Sequence, residues 1–442
     1  MPTEATVHVL DETHILLFLV QFLLLLGAAK LLGMLFVRIK QPTVTADILV
    51  GVLLGPSVFG RLAPSLQEAL FPPESVQVAM LDTVAWLGIL FLLLVTGLEV
   101  NLASVWRQKG KATWIAFSDI IIPIVISALV LYFLPDRYLT DPNRRLLFTL
   151  FLSTIMTISA MPVSIRVMND LRLLRTDLGF LTISALSIND LIGWLVFTII
   201  LGIFSFGSPD LLFVGSLILY TGLFMLFALT LGRRLVSGLV TAIHRQASDS
   251  SGYALTVVCL TGLAFGAVTQ AIGIHALFGF FVAGLIAGEA RDLSEATRTT
   301  ITRIVYAVFV PVFFANIGLK VDIIESFDVF LVMLFTVLGI AARFAGAYAG
   351  VVLSRAPREQ RWPVSALHTP GGEMHIVIGT LALELGLITN TVFVAIVVAA
   401  VLSSVTLGPW LSAILRRMVA REALQVSPSL AMELEVMDKY EA

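Results

Sequence analysis

Asp190 is a carboxylate inside an apolar run, and its surroundings limit the chemistry that it can do. It stands in the stretch SALSINDLIGW, directly after Asn189, and the run continues as LVFTIILGIF. An ionised carboxylate in apolar surroundings is costly, so the group must be protonated, paired or in contact with water. We interpret Asp190 as a binding site for a proton or a cation rather than as half of a permanent salt bridge. The Asn189 amide could fix a neighbouring polar group.

Three further charged residues lie within apolar stretches. Arg343 in GIAARFAGAYAG is a permanent cation, and it could hold either a carboxylate or exposed backbone carbonyls. Glu373 in PGGEMHI is its expected partner, in a structural pair rather than as an ion ligand. Asp119 in AFSDIIIP either lies along an ion path or satisfies a break in the backbone, and both interpretations remain open.

Other kinds of chemistry have no support in the sequence. It contains no Walker loop, no HExxH and no GxSxG, so reactions on a nucleotide, at zinc or on an acyl group are not expected. The single cysteine, Cys259, lies in an apolar run and is interpreted as a small buried hydrophobe. We therefore predict no enzymatic activity, no cofactor, no metal other than a transported cation and no nucleic-acid partner.

The composition indicates a membrane protein. Of the 442 residues, 58% are hydrophobic and 13% charged, and the mean hydropathy is +0.97. Apolar stretches of about 20 residues, the length of a membrane-spanning helix, recur along the whole chain. The pattern predicts an all-α polytopic protein with about thirteen spans. They lie at roughly residues 13–37, 43–60, 78–99, 112–134, 146–169, 178–205, 211–232, 252–272, 274–289, 301–319, 328–353, 362–388 and 391–415.

The basic residues predict how the chain is oriented in the membrane. Across thirteen spans, Lys and Arg are concentrated in one set of alternate loops, with 19 in that set against 5 in the other. Cytoplasmic loops carry an excess of Lys and Arg. The N-terminus is therefore predicted to lie outside and the C-terminus in the cytoplasm.

Two predicted spans are interrupted in similar ways. The span at 146–169 contains TISAMPVSI with Pro162, and the span at 362–388 contains HTPGGEMHI with Pro370, Gly371 and Gly372. Within a bilayer, unwound backbone is tolerated only where protein or a water-filled cavity satisfies its polar groups. Paired breaks seven spans apart, and therefore in opposite orientations, predict an inverted-repeat transporter with a binding site near the midplane.

Seven stretches in order resemble the monovalent cation:proton antiporters, most closely the second cation:proton antiporter family. They are ADILVGVLLGPSVFG at 46–60, LGILFLLLVTGLEV at 87–100, SAMPVSIRVMNDLRLLRTDLG at 159–179, SALSINDLIGW at 184–194, IGIHALFGFFVAGLIAG at 272–288, VPVFFANIGLKVD at 310–322 and PGGEMHIVIGTLALE at 370–384. The resemblance implies thirteen helices in interleaved dimerisation and core subdomains, with the two broken helices crossed in the core. It also implies a homodimer and a role in pH homeostasis.

The resemblance implies that Asp190 binds either cation or proton, with Asn189 as its partner. Arg343 looks like the counterpart of a basic residue that is a lysine in electrogenic relatives, so the pattern resembles electroneutral exchange. Ala185 departs from the sister family, whose exchangers usually carry a glutamate at this position, and Glu373 could be the acid that pairs with Arg343 instead. As a hypothesis, the cation binds Asp190, freed carbonyls and the hydroxyls of Thr154, Thr157 and Ser187.

The sequence therefore predicts one transporter unit, residues 1–442, with a short cytoplasmic tail at 419–442 and no nucleotide-binding regulatory domain after the last span. Its predicted location is the bilayer of a bacterial inner (plasma) membrane. Residue identity does not choose between Na⁺ and K⁺. Two alternatives stay open: a cation channel or gated K⁺ efflux pathway, and a sodium-coupled symporter of organic anions on a related fold.

Overall fold

A computed structural model describes residues 11–38, 41–100, 110–205, 211–246, 250–290 and 292–420. Within these ranges the chain forms α-helices, short 3₁₀ turns and two π-helical segments, without strands. The helices, in chain order, are α1 Glu12–Arg38, α2 Thr43–Leu54, α3 Phe59–Leu62, α4 Pro64–Leu70, α5 Ser75–Glu99, α6 Lys111–Leu131, α7 Arg145–Ile155, α8 Met161–Asp170, α9 Asp177–Ser205, α10 Leu211–Phe227, α11 Arg233–Gln246, α12 Ser250–Ala271, α13 Ala276–Gly288, α14 Glu295–Ile304, α15 Val310–Lys320, α16 Val329–Leu353, α17 Arg361–Leu367, α18 Gly372–Glu384 and α19 Asn390–Ala420. From residue 421 onwards, the predicted tail lies outside the described residues.

Ten helical stretches in the described ranges are long and apolar enough to cross a membrane, and each coincides with one predicted span. The three remaining predicted spans correspond to α7 with α8, to the short apolar helix α13, and to α17 with α18. The all-helical, multi-pass class is thus confirmed. Thirteen crossings remain a prediction, because three of them depend on helices shorter than a bilayer.

The helices pack as two groups. In the first, α16 lies along α6 and also packs against α17 and α19, while α9 packs against α6 and α7. In the second, α13 lies between α5 and α12, and α15 packs against α2 and α5. The described contacts between the groups include that of α9 with α13. Helices α8 and α18 belong to the first group, since they pack against α9 and α19, so this group carries both interrupted helices together with the buried residues Asp119, Asp190 and Arg343.

Proline sets where the interrupted helices restart. The helix α7 ends at Ile155, and α8 begins at Met161 with Pro162 in its first turn. The helix α17 ends at Leu367, and Pro370 lies in the break before α18. Proline has no backbone N–H, which is tolerated in a first helical turn but not in a helix interior. The two breaks, 156–160 and 368–371, therefore stand where the sequence predicts them.

Candidate ion-binding site

The two breaks cross and hydrogen-bond to each other. The backbone N–H of Ala160 donates to the carbonyl of Pro370 at 2.8 Å. The hydroxyl of Ser159 donates to the carbonyl of His368 at 2.9 Å, and the hydroxyl of Ser164 donates to that of Leu367 at 2.5 Å. Polar backbone groups freed by one break are thus satisfied by the other. This reciprocal bonding is what allows unwound chain to persist inside a protein that spans a bilayer.

Gly372, the first residue of α18, makes the close crossing possible. Its φ is +52°, in the left-handed region that side chains disfavour. A Cβ atom at this position would lie 2.2 Å from the Cβ of Ala160. Backbone conformation and space therefore both require glycine where the second break meets the first.

Arg343 binds backbone carbonyls of both breaks. Its Nη1 donates to the carbonyl of Pro370 at 2.8 Å and to that of Ile158 at 3.1 Å, and its Nε donates to Gly339 within α16. The side chain is 1% exposed. Of the two roles that the sequence leaves open for Arg343, the structure supports the binding of carbonyls. The guanidinium also lies close enough to Asp119 for the two charges to attract.

The expected pair of Arg343 with Glu373 is not formed among the described residues. Glu373 is buried in the first turn of α18, and its Oε1 accepts a long hydrogen bond of 3.4 Å from the hydroxyl of Tyr306. The pairing prediction assumed that a buried cation needs a carboxylate. At this crossing, carbonyl oxygens take the guanidinium donors instead, since an unwound chain leaves those oxygens free.

Asp190 and Asn189 lie on α9, 2% and 0% exposed. The side chain of Asp190 has no hydrogen bond or ion pair with any described residue, and its Oδ1 is fully buried. Three other carboxyl groups, those of Glu99, Asp119 and Glu373, act electrostatically on it. The carboxyl group that the sequence places in an apolar run is therefore buried and has no hydrogen-bond partner among the described residues.

Asp119 is connected directly to this pair. Its Oδ2 lies 3.1 Å from the Nδ2 of Asn189 and 2.7 Å from the Nδ1 of His368. All three side chains are 0% exposed. Asp119 therefore connects α6 to α9 and to the second break. Within the described part of the chain its Oδ2 is hydrogen-bonded to side-chain nitrogens and not to freed backbone groups.

The three hydroxyl residues lie around the first break. The hydroxyl of Thr154 donates to the carbonyl of Leu150 in α7, and that of Thr157 donates to the carbonyl of Thr154. Ser187 lies one turn before Asp190 on α9, and its Oγ is 3.7 Å from the sulfur of Met161, the first residue of α8. The structure thus brings α9 against the first break. It shows no direct contact of these hydroxyls with Asp190.

A cavity of about 1390 Å³ opens between the two groups of helices. It reaches the restarts of both interrupted helices, with Pro162 and Glu373 in its lining. The basic residues Arg172 and Arg416 line it as well. Asp190 is not among its lining residues, so the carboxyl group is separated from the cavity by neighbouring side chains.

A cluster of charged side chains lies where the two helix groups meet at the far end of α18. Lys320 of α15 places its Nζ 2.6 Å from the Oδ1 of Asp82 on α5, and 4.0 Å from the Oε1 of Glu384 at the end of α18. The Nδ2 of Asn316 also donates to Asp82 at 2.8 Å. A cavity of about 40 Å³ remains beside this cluster. The charges therefore link the two helix groups at the end remote from the large cavity.

Three polar residues at the crossing are not among the site residues predicted from the sequence. His368 contacts Asp119, His375 hydrogen-bonds the carbonyl of Ile158 at 2.9 Å, and Tyr306 contacts Glu373. The one available signal was the position of the histidines, which flank the break at Pro370 in HTPGGEMH. Histidine at a membrane midplane is uncommon and usually functional.

Comparison with known proteins agrees with this geometry. The family model "Sodium/hydrogen exchanger, transmembrane" matches residues 19–417. The chain is 30% identical over 416 residues to the Na(+)/H(+) antiporter NhaS4 of Synechocystis sp., covering 90% of this chain and 97% of the relative. It is 28% identical over 415 residues to the K(+)/H(+) antiporter 1 of Saccharomyces cerevisiae, covering 91% of this chain and 47% of the relative. It is also 29% identical over 402 residues to the Cation/H(+) antiporter 19 of Arabidopsis thaliana, covering 89% of this chain and 49% of the relative.

The chain thus spans about half the length of the plant and yeast relatives. Among solved structures, that of the sodium proton antiporter MjNhaP1 from Methanocaldococcus jannaschii at pH 8 matches with a TM-score of 0.69 and 17% identity. The match covers 91% of this chain and 98% of the other. At that identity the likeness is one of fold.

Two interrupted helices that cross beside a buried carboxyl group are typical of secondary transporters. The chain belongs to the transmembrane sodium/hydrogen exchanger family. It is accordingly a multi-pass monovalent cation:proton antiporter. The resemblance noted from the sequence motifs is confirmed, and the alternatives of a cation channel and of an organic-anion symporter are not favoured.

Proposed function

We propose that the chain exchanges Na⁺ or K⁺ for protons by alternating access, and that cation and proton compete for Asp190. The Asp190 carboxyl group carries this proposal. It is buried beside Asn189, on the helix that packs against the first break, without an ion pair or hydrogen bond to a described residue. A buried carboxylate needs a compensating charge or a proton. The described protein groups supply neither to Asp190. A transported cation or a proton can therefore neutralise the carboxylate.

Competition at one carboxylate explains coupling. Burial makes the empty ionised form of Asp190 unfavourable, because the side chain is only 2% exposed. Moving the ionised carboxylate past an apolar barrier is costly. Asp190 therefore changes its exposure from one side of the membrane to the other only when a cation or a proton has neutralised it. Cation in one direction and proton in the other then give exchange with little leak.

An electroneutral ratio, one cation against one proton, is consistent with the charges around the site. Arg343 is engaged by the carbonyls of Ile158 and Pro370 and attracted by Asp119. It forms no ion pair with Asp190 among the described residues, so no second mobile charge needs to be released when the cation binds. In this proposal Asp190 alone gains and loses charge during the cycle.

The basic residues support an inward-open arrangement with the C-terminus in the cytoplasm. Arg172 and Arg416 belong to the Lys- and Arg-rich set of loops and line the large cavity. The cluster of Lys320 with Asp82 and Glu384 would then close the outer side. The proposed location is the bilayer of a bacterial inner membrane, where such exchange would serve pH homeostasis.

We further propose that the two helix groups are the core and dimerisation subdomains of one transporter unit. The first group, which contains the crossing and Asp190, would move as the core. We place the contact of a homodimer on helix α1, which packs against α2 of the second group and exposes a row of large apolar side chains, including Leu16, Leu23 and Leu31. Lipid or a second copy of this chain could cover that row.

The test is proton flux in proteoliposomes that carry an imposed pH gradient, with the membrane potential clamped. Na⁺, Li⁺, K⁺ and Rb⁺ are added in turn to the wild type and to Asp190→Asn. We expect one or more cations to dissipate the gradient at a rate independent of the clamped voltage, and the variant to fall to the leak rate. The matched control is Asp141→Asn, since Asp141 is a half-exposed acid that pairs with Arg144 far from the crossing. Equal flux through wild type and Asp190→Asn would contradict the proposal.

A further inference from the structure

Two side-chain nitrogens converge on one oxygen of Asp119, and this arrangement fixes which end of the Asn189 amide faces Asp119. The Nδ2 of Asn189 and the Nδ1 of His368 converge on Asp119 Oδ2 at 3.1 and 2.7 Å. We place the ring proton of His368 on Nδ1, because its Nε2 has no partner among the described residues, so that Asp119 Oδ2 accepts both hydrogen bonds. The carboxylate therefore attracts the NH₂ end of the Asn189 amide and repels its oxygen.

The amide oxygen of Asn189 is consequently left free. Its Oδ1 is buried and has no hydrogen-bond partner in the part of the chain that the structure describes, and the same holds for the Oδ1 of the adjacent Asp190. Oxygen atoms are the ligands that replace the hydration shell of an alkali cation. If the amide were rotated by 180°, it would present two N–H donors instead, and these repel a cation.

His368 holds Asp119 in place from the second break. Its ring lies between α17 and α18, 0% exposed, and its backbone carbonyl accepts from the hydroxyl of Ser159 in the first break. The position of the Asp119 carboxylate thus depends on both interrupted helices. His368 and Asp119 thus form a chain of contacts from the crossing to the amide of Asn189.

We propose that Asp119 and His368 are positioning residues that fix the Asn189 amide with its oxygen available as a cation ligand beside Asp190. They act through Asn189 and do not themselves touch the cation. The inference rests on the proposed competition of cation and proton at Asp190. It adds a reason why the cation, and not only the proton, is recognised there.

The main variant is Asp119→Asn, which keeps the shape of the side chain. Its amide places either a neutral oxygen or an NH₂ at the Oδ2 position, so the acceptor shared by Asn189 and His368 is weakened or lost. The rotated amide of Asn189 is then no longer opposed. We expect the KM for the transported cation to rise at least about tenfold, the size of one lost contact to a charged group, while the maximal rate changes much less. The double variant Asp119→Asn/Asn189→Asp exchanges the two groups, conserves total charge and restores an oxygen acceptor, so the KM should return towards the wild-type value.

A second pair of variants tests His368. His368→Asn keeps a nitrogen donor near the position of Nδ1 and should keep the KM close to that of the wild type, whereas His368→Leu should raise it. Ser127→Ala is the matched control, because Ser127 is a fully buried residue of the same helix as Asp119 whose hydroxyl has no partner in the described residues. Its KM should not change.

The outcomes separate this inference from the proposed function. If wild type exchanges and Asp190→Asn does not, the proposed function stands, and the KM of the other variants decides the inference. An unchanged KM in folded Asp119→Asn would overturn it, as would equal KM values for His368→Asn and His368→Leu. If the Asp119 variant does not fold, as judged by gel filtration in detergent, the His368 pair gives the decision alone.

Discussion

Replacing Arg343 by methionine should weaken the crossing by an amount that can be worked from its contacts. Methionine removes the guanidinium and keeps much of the apolar stem. Two carbonyls, those of Ile158 and Pro370, lose a charged donor, and an unsatisfied buried acceptor costs about 1–3 kcal/mol. Each carbonyl keeps one other donor, His375 for the first and the Ala160 N–H for the second, so the lower end of that range applies. The expected loss is about 2 kcal/mol in total.

The assay is thermal unfolding of the purified protein in detergent, followed by cation:proton exchange in proteoliposomes. Arg343→Met should unfold several degrees below wild type and lose most of its exchange activity, since the acids around Asp190 then lack their nearby cation. Arg343→Lys keeps the charge and should lie between the two. Arg303→Met, at an exposed position on α14, is the control and should match wild type. If Arg343→Met unfolded like this control, the carbonyls would not depend on the guanidinium and the reasoning would be refuted.

Two further predictions concern the crossing and the outer charge cluster. Gly372→Ala should abolish folding or transport, whereas Gly386→Ala, also at positive φ but with nothing within 4 Å of its Cβ, should cost only about 1–2 kcal/mol in thermal unfolding. Equal effects of the two variants would show that the backbone conformation at Gly372, and not the lack of space for a Cβ atom, causes the damage. Glu384→Gln weakens the contact between Lys320 of the second helix group and the end of α18. In an Ile89→Cys background, the new cysteine lies beside this cluster and should therefore react faster with an impermeant maleimide applied from outside. An unchanged rate would exclude a closing role for the cluster.

Features carried by local sequence were predictable. Pro162, Pro370, Gly371 and Gly372 locate both breaks, because proline disrupts a helix interior and glycine readily adopts backbone conformations outside the helical region. The apolar periodicity locates the long helices, and ten of them appear where expected. Asp190 is singled out by its chemistry, as an acid in a run that should contain none, and its role as the ion site stays a prediction.

Features that depend on pairing between distant segments were not predictable from one sequence. Asp119 and His368 are 249 residues apart, and nothing in either neighbourhood indicates the other. For Arg343 the sequence leaves open a carboxylate or freed backbone carbonyls, and only the meeting of the two breaks brings the carbonyls of Ile158 and Pro370 to its guanidinium. Tyr306 reaches Glu373 only because the two helix groups meet around the cavity. Such contacts follow from the packing of whole helices.

The account depends most directly on cation and proton sharing Asp190. The measurement that tests this is proton release when Na⁺ or K⁺ is added to the purified protein in weakly buffered detergent solution, at a pH where the carboxyl group is protonated. We expect about one proton to be released for each cation bound by the wild type, and none on addition of cation to Asp190→Asn. Cation binding to the wild type without proton release, or equal release from Asp190→Asn, would contradict the central claim.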